Sequence, residues 1–135
     1  MTSLAVSDRM KWAGIVLIAL TGLLHLVETP EYMEEERYIG LLFLLSAVGS
    51  VVSLWGIWQD RAWGWALGTA IAGGAFIAYI LSRTTGLPSF HESEFFEPSG
   101  IISLVIEGLF VAVAARVLMT GPVPAEERSR ITFSR

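Results

Sequence analysis

Gly22-Leu23-Leu24-His25-Leu26-Val27-Glu28-Thr29-Pro30 closes a long apolar run and sets an imidazole and a carboxylate three residues apart. On a helix that spacing puts His25 and Glu28 on roughly one face, with Thr21 one turn below. A much later apolar run carries a lone carboxylate, Glu107. Ionisable groups within such runs face the interior of a bundle, where they pair or are held neutral. The stretch thus reads as the end of a membrane span whose polar groups are met by other spans.

Composition agrees. Of 135 residues, 53% are hydrophobic and 16% charged, with a mean hydropathy of +0.60. Soluble domains carry about 25% charged residues. The absence of cysteine excludes disulfides, thiolate metal sites and iron–sulfur clusters. A net charge of −4 with no basic block argues against nucleic acid as a partner. The first apolar run is long and lacks a small-residue cleavage pattern, so it does not read as a removable signal.

Four apolar runs lie at about 12–29, 38–58, 63–82 and 99–119, each near the ~20 residues that cross the bilayer as a helix. Backbone groups in lipid must be satisfied within the segment, which selects helices. The expectation is an all-α, four-helix transmembrane bundle. Residues 1–11 form an N-terminal segment, 12–119 the spanning domain and 120–135 a charged tail. An acidic turn is expected near 30–37, a tight turn at Gln59-Asp60-Arg61-Ala62 and a longer loop near 83–98.

Basic residues give the orientation. Arg9, Lys11, Arg61, Arg116, Arg128, Arg130 and Arg135 fall on one side, against Arg37 and Arg83 on the other. Both termini are expected in the cytoplasm, in an N-in/C-in arrangement of the cell membrane. Trp12, Trp55, Trp58, Trp63 and Trp65 sit near that inner interface, while Tyr32, Tyr38, Phe90, Phe95 and Phe96 suit an outer belt. Gly64, Gly68 and Ala72 recur every four residues in the third span; Gly49 and Ser53 lie on one side of the second. Small residues let helices approach closely in lipid.

The polar network expected near the outer surface comprises Thr21, His25, Glu28, Tyr79, Arg83, Ser103 and Glu107. Glu107 lies roughly 12 Å below the outer end of its span, taking about 1.5 Å per residue. It is either a hydrogen-bonded lock between helices or a ligand or proton acceptor. Arg83, before the helix-stopping Gly86 and Pro88, either turns inward to Glu107 or Glu28 or snorkels to headgroups. His25, Glu28, Glu107 and His91 form a candidate copper or zinc set, since imidazole and carboxylate suit those ions. The bland alternatives are a histidine bonded to its own helix end and a loop of aromatics and acids lying in the interface.

Several parts resemble a group of small, uncharacterised four-span bacterial membrane proteins, actinobacterial in type. They are Gly22-Leu23-Leu24-His25-Leu26, Tyr38 to Phe43, Trp63-Gly64-Trp65, Gly73-Gly74, Ser82-Arg83-Thr84-Thr85-Gly86-Leu87-Pro88 and Glu97-Pro98 through Glu107. The resemblance covers about residues 12–119. It implies the four-span fold and joins His25, Arg83, Glu97 and Glu107 in one pattern, but implies no activity.

No phosphate loop, nucleophile elbow or His-Glu-x-x-His is present, so a non-catalytic role is expected. The first expectation is an accessory or assembly subunit of a larger membrane complex, packing on other subunits or on itself. The second is transition-metal binding or delivery. The third is proton or ion translocation through Glu107, against which stands the dry run Gly108 to Val113 below it.

Overall fold

The computed structural model describes residues 6–120. Residues 1–5 and 121–135 lie outside this description, and with them most of the expected tail and Arg128, Arg130 and Arg135. Four helices account for nearly all of the rest: α1 (Asp8–Glu35), α2 (Arg37–Trp58), α3 (Ala62–Arg83) and α4 (Pro98–Met119). Each is long and apolar enough to cross a membrane. They form a ring in chain order, α1 against α2, α2 against α3, α3 against α4 and α4 against α1. Among the described residues the α1 and α3 backbones approach lightly across the ring, and those of α2 and α4 stay apart.

One boundary differs from expectation. The acidic turn placed near 30–37 is mostly helix, because α1 runs through Pro30 to Glu35. Proline lacks the N–H that the fourth carbonyl back would accept. The carbonyl left without that donor is that of Leu26; the neighbouring His25 carbonyl accepts the Thr29 hydroxyl at 2.6 Å. Only Glu36, in an extended conformation, separates α1 from α2. So tight a hairpin demands a residue without a side chain at Gly40: a Cβ there would lie 2.6 Å from the Met33 backbone nitrogen.

The two ends of the ring differ. At the tryptophan end, Lys11 pairs with Asp60 at 3.2 Å and Trp12 packs edge-on against Trp58. Here α2 and α3 are in backbone contact. A Cβ on Gly64 would fall 2.5 Å from the Ile57 nitrogen, and the Ser53 hydroxyl donates to the Gly64 carbonyl at 2.7 Å. Trp65 and Phe110, both fully buried, stack in the centre with Ile18, Ile57 and Ala114. At the acidic end α2 and α3 part. Gly49 still meets Ile71, but a Cβ on Gly74, near mid-helix, would meet nothing within 4 Å.

Candidate functional site

Four helices and the loop between α3 and α4 build a cavity in the acidic half. It has a volume of about 530 Å³. Its wall is mainly apolar, from α2 (Ile39, Leu42, Phe43) and α3 (Leu67, Ile71, Ala75), with polar groups from α1 and α4. Leu42, Leu45, Ala70 and Gly74 line it and are also exposed on the outside of the bundle. The cavity therefore opens sideways between α2 and α3, toward the lipid-facing surface. Below it the Trp65–Phe110 stack closes the core.

His25 and Glu107 face each other across the α1–α4 seam. His25 Nε2 stands 3.9 Å from Glu107 Oε1, and both side chains are at least nine-tenths buried. His25 Nδ1 lies 2.7 Å from the Thr21 carbonyl oxygen. A carbonyl only accepts, so Nδ1 carries the hydrogen and Nε2 is the atom turned to Glu107. Ser103, one turn before Glu107 on α4, donates to Oε1 at 2.7 Å. Glu107 Oε2 has no hydrogen-bond partner among the described residues. One proton between carboxyl and imidazole makes the pair neutral, either as acid and base or as ion pair.

Thr21 serves the site through its carbonyl. Its hydroxyl turns back to the Leu17 carbonyl at 2.9 Å. Glu28 lines the cavity nearer the acidic end, with Ser99 in hydrogen-bonding range of its carboxylate.

Arg83 does not turn in to Glu107. Its Nη2 contacts Glu97 Oε2 at 3.4 Å, its Nη1 donates to the Ser82 hydroxyl and its Nε to the Glu94 carbonyl. The guanidinium also lies 3.7 Å over the Tyr79 ring. Glu97 precedes α4 and sits level with the end of α3, so it is the nearer acid; Glu107 lies ten residues deeper, about 15 Å along the helix at 1.5 Å per residue. Tyr79 donates to the Phe95 carbonyl, and its ring fills the space over Gly100, where a Cβ would lie 2.4 Å from the ring.

The expected metal set does not assemble. His91 is exposed, with Nε2 at 3.2 Å from the Thr84 carbonyl, and does not line the cavity. Among the described residues no three His, Asp or Glu side chains gather as a metal ion requires. The cause is the loop after α3. Gly86 and Ser89 turn it with positive φ, Leu87 pairs with Phe90, and Glu92 N–H reaches the Ser82 carbonyl. That path aims Phe90 into the cavity mouth and leaves His91 outside.

Tyr32 is a site residue that the outer-belt expectation misplaced. It is buried, packs edge-on against Phe43 and Phe90, and lines the cavity. Its spacing from His25 and Glu28, seven and four residues on, is the signal that puts all three on one helix face. Phe43 and Ser99 carried no such mark. Comparisons with protein-family models, with curated proteins and with solved structures find no match.

Proposed function

We propose that the protein binds, within the bilayer, a molecule with an apolar body and a polar head that enters sideways between α2 and α3. The observation that carries this reading is the cavity of about 530 Å³, open to the lipid-facing surface, with the buried His25–Glu107 pair in its wall. Sites for small molecules have this character: a mostly apolar concavity of about 300–1,000 Å³ with a few convergent polar groups. The accessory-subunit expectation rested on the lack of a catalytic constellation and on helix faces suited to packing. A cavity inside the bundle offers the polar groups another use. The exposed apolar side chains on all four helices are what lipid contact requires, and they single out no protein partner. Translocation through Glu107 is disfavoured by the dry Trp65–Phe110 core beneath it.

Native mass spectrometry of protein purified in lipid nanodiscs tests this. The parent should carry a discrete adduct that Gly74→Phe loses while keeping its fold. No adduct, or an equal adduct in both, contradicts the reading.

The orientation is also inferred: the tryptophan end, with Lys11 and Arg61, faces the cytoplasm of a cell membrane and the acidic end faces out. The chain has no cysteine, so single cysteines report cleanly. An impermeant maleimide on intact cells should label Glu94→Cys and spare Gln59→Cys. The reverse pattern inverts the topology.

A further inference from the structure

The charges around the cavity say which head group it takes. From α1 come His25, Glu28 and the Tyr32 phenol, from just before α4 Glu97 and from within it Glu107, and from the end of α3 Tyr79 and Arg83; α2 contributes no titratable side chain. Three carboxyl groups thus stand against one guanidinium. That guanidinium is engaged by Glu97, Ser82, Glu94 and the Tyr79 ring at the mouth, so it is not the partner of Glu107. His25 has already given its Nδ1–H to Thr21. Glu107, 2% exposed, is left with one oxygen held by Ser103 and another, Oε2, without a partner.

A carboxyl in an apolar bundle is balanced by a proton or by a cation. An anionic head, such as a phosphodiester, would meet three acids. A cation would meet the unpartnered oxygen of Glu107. It would also meet the aromatic rings of Tyr32, Phe43 and Phe90, which line the same cavity, and cations are attracted to ring faces.

We propose that the occupant is a lipophilic organic cation, and that its charge takes the place of the one proton held by the His25–Glu107 pair. This deepens the ligand-binding reading and rests on it. The exchange balances: the protonated pair plus a cation gives the cation paired with the Glu107 carboxylate, a neutral His25 and one proton released to water. Below the pH at which the pair gives up its proton, affinity then falls about tenfold per pH unit, because proton and cation compete for one charge.

Calorimetric titration of the full chain in detergent with tetraphenylphosphonium, repeated in buffers of different ionisation enthalpy, tests this. The expected result is about one proton released per cation bound. Glu107→Gln should weaken binding at least about tenfold, a loss of roughly 1.4 kcal/mol, and abolish its pH dependence. Glu107→Asp should keep proton release, which separates loss of charge from loss of fold. Binding by Glu107→Gln equal to the parent, or cation binding without proton release, overturns the proposal. A short-chain quinone or an alkyl phosphate that binds where the phosphonium does not overturns the cation but leaves the ligand-binding reading. Failure of all three probes, together with no native adduct, removes both.

Discussion

The third helix holds two glycines that do opposite things. Gly64 lets α3 press its backbone onto α2, so that a single added carbon would lie 2.5 Å from a main-chain atom. Gly74, ten residues on, faces open space. The same residue type thus marks the closed end of the bundle and the open one. Small residues in a span permit close approach, but whether a neighbour comes to meet them depends on where the helices diverge. The buried apolar core lies toward the tryptophan end, and the acidic end holds the cavity and its polar pair.

Five substitutions should break or sharpen that contrast, each read by unfolding in mixed micelles. Phe110→Ala removes half of the central stack and should cost the most, about 3–5 kcal/mol. A cost below about 1 kcal/mol would mean the stack is not the floor of the site. Gly64→Leu forces a side chain into the α2 backbone and should cost about 2–3 kcal/mol, whereas Gly74→Leu should cost under about 0.5 kcal/mol. Equal costs would erase the distinction between the two ends. Glu107→Leu should change stability by less than about 1 kcal/mol, in either direction, since an apolar replacement removes a buried polar group along with its weak contacts. A loss of several kcal/mol would return Glu107 to the role of helix lock. Ser53→Ala, which deletes the hydroxyl bonded to Gly64, should cost about 0.6 kcal/mol, the usual worth of such a bond in a membrane.

The helices were legible because lipid leaves a spanning chain so few choices. Runs of about 20 apolar residues had to be helices, and four of them with short connections had to alternate in direction. The meeting of His25 with Glu107 was legible for a related reason: two ionisable groups at similar depth in oil have a strong reason to adjoin. Local chemistry at helix ends was harder. The acidic run near 30–37 reads as a turn, yet the helix runs on through Pro30 to Glu35, with the Thr29 hydroxyl on the His25 carbonyl. Spacing leaves Arg83 open between Glu107, Glu28 and the headgroups and does not bring in Glu97, because the course of the loop that sets Glu97 beside it is fixed by tertiary contacts. The cavity itself was not legible. It arises from the divergence of α2 and α3, a packing that does not happen, and no single residue encodes an absent contact.

The most direct measurement uses the cysteine-free background. Cysteine is placed singly at Glu107 and at Phe110, one turn deeper, and exposed to a thiol reagent that partitions into the bilayer. A lateral cavity predicts rapid modification of Glu107→Cys, slow modification of Phe110→Cys, and protection of the former by Gly74→Phe. Equal rates at the two positions, or a Glu107→Cys rate that Gly74→Phe leaves unchanged, would show that no path leads from the lipid between α2 and α3 to the buried carboxyl.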